Sequence, residues 1–327
     1  MEKDLTKQLL SALYEATEPL SGQELAEGMQ VSRTAIWKAM GKLRELGYQI
    51  EAAPNRGYQL IAGVDRPFPE EVKRGLATSS FGRKVLYYNQ LGSTNDELRV
   101  LAREGAGEGT VVIADQQLAG KGRWGRSWYS PGENLTFSLL LRPRFEPCQA
   151  GLLAPLVGVA CLEVLTGSPY NIPCTLKWPN DLMVSGRKLG GILIELSAEL
   201  ERIHYVVVGL GLNINGTFEN APSEVQRRAT SIRAIGGRKW KRVPLLQELL
   251  ASLEAEYQHF VTRGPRRLLD KYRIWCDTLG QEVEVYSRGE LVARGIAEDL
   301  DESCNLVLAT ENGPVTVTSG EVSLRQN

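Results

Sequence analysis

A glycine-rich basic stretch constrains the fold of this chain more than any other segment. Residues 119–128 read AGKGRWGRSW and follow a strand-like apolar run at residues 110–114. Gly120, Gly122 and Gly125 match the G-x-G-x-x-G spacing of a dinucleotide-binding loop, but such a loop opens directly into an apolar helix. Here the chain continues RSWYSPG, without helical periodicity and with a proline. The stretch therefore argues against a Rossmann domain and predicts a ligand-binding loop of another kind.

The charge of this loop indicates an anionic ligand. Lys121, Arg123 and Arg126 supply positive charge, and the glycines let the backbone approach a ligand closely. We expect the loop to be mobile until a ligand orders it. A solvated basic loop without a ligand is the alternative interpretation.

Composition narrows the chemistry that the chain can perform. The 327 residues suit two or three domains. There are only two histidines, and the five cysteines form no CxxC pair, so a histidine triad, a zinc site and a disulfide framework are all disfavoured. The cysteine pattern and a start without a signal peptide predict a cytoplasmic protein. The longest apolar stretches, such as residues 205–212, are expected to be strand-sized, so no membrane partner is predicted.

Residues 1–62 predict a winged helix-turn-helix domain. Leucines recur at helical spacing in the first helix. Ser21 and Glu24 form a predicted capping box for a short second helix, and Ser32 is placed to cap a third. Two strand-like runs around a turn at residues 53–57 predict a wing.

Charge is divided unequally within this first domain. Residues 1–31 are net acidic and residues 32–62 are net basic, although the whole chain has a formal charge of −1. The basic half holds the predicted recognition helix and wing, where phosphates would be neutralised. A winged helix that binds only protein is the alternative. The predicted DNA-binding residues are Ser32, Arg33, Thr34, Trp37, Lys38 and Arg56.

The rest of the chain predicts two further domains. Residues 65–69 read DRPFP and predict a linker. Strand-like and helical runs then alternate, which predicts a mixed-sheet α/β domain over residues 66–278. Short strands with turn signals predict a small SH3-like β-barrel over residues 279–327. The predicted strands of the central domain are residues 85–88, 110–114, 134–141, 175–178, 190–196 and 205–212, and the predicted helices are residues 152–165 and 245–261.

Further motifs occur in order along the central domain. They are LGSTND at residues 91–96, with Thr94 and Glu97 as a possible capping box, then KWPND at 177–181, GRKLGGILIE at 186–195 and GLGLNIN at 209–215. Together with the basic loop, they resemble the bacterial biotin–protein ligase family. The winged helix extends the resemblance over nearly the whole chain, to the bifunctional ligase and biotin operon repressor type. Lys121 departs from the arginine more common at that position.

The resemblance implies a reaction in two steps. ATP and biotin form biotinyl-5′-AMP, and a lysine of a biotin carboxyl carrier protein, an acetyl-CoA carboxylase subunit, then takes the biotinyl group. No protein nucleophile is required, which agrees with the scarcity of histidine. The implied catalytic residues are Lys188 and Arg123. The implied biotin contacts are Ser93, Thr94, Asn95, Gln117, Lys121, Gly122, Arg123 and Lys188, and the implied nucleotide contacts are Arg126, Asn180, Asp181 and Asn213.

The family likeness also implies cofactors and partners. Mg²⁺ accompanies ATP, held mostly by phosphate oxygens and water, and no dedicated protein metal site is expected. Asp181 is expected to orient Lys188 or to help hold Mg²⁺, Arg325 to assist ATP or acceptor binding, and Trp178 to belong to the core. A homodimer on operator DNA is expected, with biotinyl-5′-AMP as corepressor.

Two other functions compete with this interpretation. One is a transcription regulator that senses biotin or its adenylate through a weak or inactive ligase domain. The other is a lipoate-type ligase on a related fold. The basic loop and Lys188 disfavour the first, and the GKGR and KWPND motifs with the winged helix disfavour the second.

Overall fold

The chain folds as two compact units. The structure is a computed structural model that describes residues 2–53, 56–199, 202–287, 289–318 and 320–324. One unit ends at Arg66 and the other begins at Pro67. They are called the N-terminal unit and the main unit below. Pro54 and Asn55 of the predicted wing turn, and Arg325, lie outside the described residues.

The N-terminal unit has the expected helix-turn-helix order. Its elements are α1 (Glu2–Glu15), α2 (Gly22–Gly28), α3 (Arg33–Glu45), β1 (Gln49–Ala53) and β2 (Gly57–Ala62), and the two strands pair antiparallel. Ser32 caps α3 as predicted, because its hydroxyl accepts from the N–H of Ala35 at 3.1 Å. Ser21 caps α2 by accepting from Gln23 at 3.2 Å, one residue earlier than a capping box requires.

A seven-stranded mixed sheet organises the main unit, which confirms the predicted mixed-sheet domain. The strand order is β3-β4-β5-β9-β8-β7-β6, and β3 and β4 alone run parallel among the described pairs. Its strands are β3 (Val85–Leu91), β4 (Val111–Gln117), β5 (Leu135–Leu141), β6 (Thr175–Lys177), β7 (Asp181–Val184), β8 (Arg187–Glu199) and β9 (Arg202–Leu212).

Helices pack around this sheet, and several were not predicted. They are α4 (Pro69–Arg74), α5 (Thr94–Arg103), α6 (Leu153–Thr166), α7 (Ser223–Arg228), α8 (Ile232–Gly236), α9 (Arg242–Arg263) and α10 (Arg266–Trp275). Helix α4 begins at Pro69, inside the predicted linker, because proline is tolerated at the first helical position. The segment Pro147–Thr166 contains α6 and corrects the expectation that all long apolar stretches are strand-sized.

That apolar segment is a core element. By length and composition it could cross a membrane, but 67% of it is buried inside the fold. Core helices can be equally long and apolar, so the length and composition of this segment are weak evidence for a membrane. Helix α6 packs against α9 and the sheet and supplies most of its residues to the main hydrophobic core.

The C-terminal residues form a five-stranded antiparallel sheet. Its strands are β10 (Glu282–Ser287), β11 (Glu290–Leu300), β12 (Leu306–Thr310), β13 (Gly313–Val317) and β14 (Glu321–Leu324), in the order β13-β12-β11-β10-β14. The predicted strands are present, but no pairing between β13 and β14 closes a barrel in the described part. Val283, Val285 and Leu306 are fully buried in the same cluster as the core of the mixed sheet.

A buried carboxylate fastens α9 to the segment before β3. Glu254 accepts hydrogen bonds from the backbone N–H groups of Ser79, Ser80 and Phe81 at 2.6, 2.6 and 2.8 Å. Burial by itself would raise the pKa of this carboxyl group. The N–H donors outweigh burial and lower the pKa from 4.5 to about 2. The ionised form therefore stabilises the fold.

We expect Glu254→Gln to lower the free energy of unfolding by about 1–3 kcal/mol at neutral pH, because an N–H group then faces donors. The folded pKa lies below the unfolded value, so the stabilisation is present above pH 4.5 and is lost as the pH falls towards 2. Denaturant unfolding at several pH values checks this, with the exposed Glu224→Gln as control. A difference between wild type and variant that stays constant down to pH 2.5 would contradict it.

Candidate active site

A cleft over the centre of the mixed sheet gathers most of the predicted site residues. Its cavity volume is about 180 Å³. Three glycines on β8 and β9 lie at its floor: Gly191, Gly209 and Gly211. A Cβ atom at Gly211 would stand 2.4 Å from the indole ring of Trp128, and one at Gly209 would stand 2.3 Å from Oδ1 of Asn95. The glycines are therefore required for side chains to lie directly on the sheet backbone.

The glycine-rich loop folds into a small hairpin that lines the cleft. The N–H of Gly122 donates to the carbonyl of Arg126 at 2.7 Å, and that of Trp128 donates to the carbonyl of Gly120 at 2.9 Å. Gly125 has a φ of +74°, which glycine adopts without strain. Lys121, Gly122, Arg123 and Arg126 all line the cleft.

The part of the cleft beside this loop is polar and tightly hydrogen-bonded, and it is called the polar end below. The N–H and the hydroxyl of Thr94 both donate to Oε1 of Gln117, at 2.7 and 3.0 Å. Helix α5 is capped by the backbone position of Ser93, with no side-chain cap bond, and Glu97 accepts from the hydroxyl of Tyr88 at 2.7 Å. The predicted Thr94 and Glu97 capping box is therefore wrong, because the Thr94 side chain is engaged with Gln117.

Ser138 is a site residue that the sequence reasoning missed. It lies on β5, is fully buried, and its hydroxyl lies 2.7 Å from Oγ1 of Thr94 and 2.5 Å from Oδ1 of Asn95. A serine at the centre of a mostly apolar strand, LTFSLLL, was the available signal. Ser138 fixes the two residues that stand at the polar end of the cleft.

Lys188 is held at the edge of the cleft by a carboxylate. Its Nζ lies 2.7 Å from Oδ1 of Asp181 on the neighbouring strand β7, and 5.6 Å from the ring centroid of Trp128. The Lys188 side chain is 34% exposed, so it can reach a ligand in the cleft. The ion pair fixes where the Lys188 ammonium group lies.

Arg123 joins the loop to the C-terminal sheet. Its Nη1 lies 3.2 Å from the carbonyl oxygen of Gly320 and 3.3 Å from Oδ1 of Asn180. Gly320 and Val322 also line the cleft. Sequence reasoning missed this contribution, because nothing in the local sequence places a backbone carbonyl 197 residues away beside Arg123.

Asn213 lies apart from the ligand space, whereas Trp178, the predicted core residue, contributes to the lining of the cleft. Asn213 is buried outside the cleft lining, where its Oδ1 accepts from Nδ2 of Asn134 at 3.2 Å. Trp178 is 3% exposed and donates from its indole N–H to the carbonyl of Cys304 at 2.9 Å, as expected for a core residue. Within the described ranges, no group of three histidine, cysteine or acidic residues could hold a metal ion.

The N-terminal unit presents the predicted DNA-binding residues to solvent. Buried residues such as Ile36, Met40 and Leu43 take the inner face of α3. The outer face leaves Trp37 65% exposed. A groove between α3 and the wing includes Arg33, Thr34, Trp37 and Arg56 in its lining. All six predicted DNA-binding residues are exposed: Ser32, Arg33, Thr34, Trp37, Lys38 and Arg56.

Comparison with known families agrees with this arrangement. Residues 89–213 match the biotin/lipoate A/B protein ligase family, residues 6–59 match a helix-turn-helix domain, and residues 278–325 match the biotin protein ligase C-terminal domain. The fold and the cleft thus define a ligase domain joined to a helix-turn-helix domain.

Similar proteins support a narrower assignment. The bifunctional ligase/repressor BirA of Bacillus spizizenii is 33% identical over 99% of this chain and 100% of its own length. Its Escherichia coli counterpart is 31% identical over 99% of this chain and 98% of its own length. A biotin protein ligase from Aquifex aeolicus, solved in complex with biotin and ATP, covers 75% of this chain and all of its own, with 31% identity and a TM-score of 0.65. The chain belongs to the biotin protein ligase family, in its bifunctional ligase/repressor class.

We expect Gly209→Ala to destabilise the main unit by about 1–3 kcal/mol through overpacking. The new methyl group would meet Oδ1 of Asn95, which cannot move freely because Ser138 and Glu195 hold its side chain. Thermal unfolding measures the effect. Gly107→Ala is the matched control, since nothing lies within 4 Å of a Cβ there. Equal melting temperatures for the two variants would contradict the close approach.

Proposed function

We propose that the chain activates biotin with ATP and transfers the biotinyl group to a lysine of a biotin carboxyl carrier protein. The position of Lys188 carries this proposal: a cation held by Asp181 at 2.7 Å lines the same cleft as the polar groups around Thr94 and the basic glycine-rich loop. Biotin presents a polar ureido head and a carboxylate tail. The head suits the hydrogen-bonding groups of Thr94, Asn95 and Gln117, and the tail then points towards Lys188.

The first step makes the mixed anhydride. A carboxylate oxygen of biotin attacks the α-phosphorus of ATP, and the bond from that phosphorus to pyrophosphate breaks. Lys188 neutralises charge that develops on the carboxylate and the α-phosphate, and Arg123 and Arg126 face the phosphates. Asp181 holds the Lys188 ammonium in place through their ion pair, so little reorganisation is needed during reaction.

The second step transfers biotin. The acceptor lysine amine attacks the acyl carbon of biotinyl-5′-AMP, and AMP leaves with the electron pair of the broken C–O bond. The chain supplies positioning and charge, without a covalent enzyme intermediate.

Asn180 and Asp181 are the proposed nucleotide contacts beside Lys188. Asn180 is fixed by its Nδ2 bond to the Ile192 carbonyl at 2.7 Å, and together with Asp181 it lines the cleft beside Lys188. Among the described residues that line the cleft, Asp181 is the one carboxylate, and it already forms an ion pair with Lys188. We therefore propose that Mg²⁺ arrives with ATP and is held by phosphate oxygens and water. The role of Asn213 stays a prediction without support from the cleft lining.

Operator binding and dimerisation complete the proposal. The exposed basic face of α3 and the wing fits phosphate and groove contacts, and a two-fold operator calls for a homodimer. Strand β8 has 13 residues, and β7 covers only its first part, residues 187–191. No other described strand pairs with residues 193–199 on that side, and Leu196 is 44% exposed. This free edge suits pairing with a second copy.

Two remaining expectations are proposals of the same kind. All five cysteines are free thiols, which supports a reducing cytoplasm. An SH3-like character of the C-terminal sheet is supported by its five antiparallel strands.

Labelled biotin, ATP and Mg²⁺ with a carrier domain test the ligase directly. We expect Lys188→Ala to reduce transfer by about 100-fold or more, the usual effect of removing one preorganised cation or donor. Lys84→Ala, an exposed lysine at the start of the mixed sheet, should label normally. Normal labelling by Lys188→Ala would remove Lys188 from the mechanism.

The same assay separates the competing functions. Wild type that binds biotin but labels nothing would favour the adenylate-sensing regulator. Preferential use of lipoate in a competition between the two acids would favour the lipoate-type ligase.

For DNA, we expect Arg33→Ala and Lys38→Ala each to lower the salt dependence of operator binding by about one unit of log–log slope, as for a lost phosphate contact. Lys7→Ala on α1 removes the same charge and should leave the slope unchanged. Gel-shift titrations on DNA upstream of biotin-synthesis genes provide the measurement. Biotin plus ATP should tighten binding by favouring the dimer, and the absence of any effect would refute that coupling.

A further inference from the structure

We infer that Asp96 is a positioning residue that holds the glycine-rich loop through Lys121. It acts within a chain of four charged side chains, called the loop bridge here: Lys121, Asp96, Arg99 and Glu195. The consequence for catalysis rests on the proposed ligase function, whereas the contact itself does not.

The distances define the bridge. Nζ of Lys121 lies 2.7 Å from Oδ1 and 2.6 Å from Oδ2 of Asp96. The Arg99 guanidinium contacts Oδ1 of Asp96 at 2.5 Å and Oε1 of Glu195 at 3.0 Å. The bridge thus runs without a gap from the loop, through the first turn of α5, to strand β8.

The far end of the bridge is anchored in the polar end of the cleft. The second oxygen of Glu195 accepts from Nδ2 of Asn95 at 2.7 Å, and Oδ1 of Asn95 meets the buried Ser138 hydroxyl. Asp96 also lies in the first turn of α5, where the helix dipole favours a negative charge. Asp96 therefore stays in place whether or not the loop is closed.

This fixed carboxylate changes the expected role of Lys121. A single exposed ion pair contributes little to the stability of a fold, and the Lys121 and Asp96 side chains are 43% and 36% exposed. Asp96, however, is preordered by Arg99 before it meets Lys121, so less side-chain entropy is lost when the contact forms. Its charge also neutralises Lys121. The structure thus assigns Lys121 to loop attachment rather than to compensation of ligand charge.

The glycine-rich loop has a second attachment, which is independent of the loop bridge. Two residues further along, Arg123 contacts the Gly320 carbonyl at 3.2 Å. The loop is therefore fastened to α5 by Lys121 and to the C-terminal sheet by Arg123. Loss of Asp96 frees one attachment while the other remains, so the loop opens more often without unfolding.

The test compares Asp96→Asn with wild type in the full-length protein. Hydrogen exchange of residues 120–128 without any ligand should become about threefold to fivefold faster, the scale of a partly exposed charged contact. In the transfer assay, KM for biotin should rise by a similar factor with little change in kcat, because the reacting groups are untouched. Glu224→Gln, which breaks the exposed pair with Arg228, is the matched control and should change neither quantity.

Two further variants distinguish attachment from general loss of structure. Lys121→Met should reproduce the exchange and KM effects of Asp96→Asn, and the double variant should add little, since both remove one contact. Lys121→Arg keeps the charge and should restore protection of the loop. Additive effects, or unchanged exchange and KM in Asp96→Asn, would overturn the inference. If wild type transfers no biotin, the proposed function fails, and the ligand-free exchange data still decide the role of Asp96.

Discussion

The close approach of side chains to the backbone of β8 and β9 is the constraint on which the site depends. Because Gly191, Gly209 and Gly211 have no side chains, Trp128 and Asn95 can pack directly on the backbone of the sheet. With β-branched residues in place of these glycines, Trp128 and Asn95 would be kept away from the strand backbone by the thickness of a side chain. Glycine weakens a strand, and the surrounding buried strands and helix α6 offset that weakness.

Carboxylates organise the cations around this floor. Asp181 holds Lys188 at 2.7 Å, and Asp96 holds Lys121 at 2.6 Å. Lys188 is already aimed and needs little rearrangement when an anionic ligand arrives, whereas Lys121 attaches the loop. The pairs also prevent the cations of the ligand-free cleft from repelling one another.

Local sequence patterns predicted the helix-turn-helix order and the strands of both sheets except β7. The grouping of the loop with Lys188 came from the family resemblance. Local patterns failed where the partner is distant in sequence. Ser138, Glu195 and the Gly320 carbonyl became visible only after the strands were paired. Thr94 is a related case: the local sequence predicted that it caps a helix, but its hydroxyl instead donates to Gln117, which is distant in sequence. Periodicity reports which face of an element is buried, and not which polar groups meet there.

The position of Gly320 and Val322 at the cleft has a practical meaning for anyone who handles this protein. Strand β14 ends at Leu324, two residues after the lining residue Val322, so an affinity tag or fluorescent reporter fused directly after it would begin close to the cleft. Such a fusion would crowd the site. Reporters belong on a remote surface, such as the loop between α9 and α10 at Gly264.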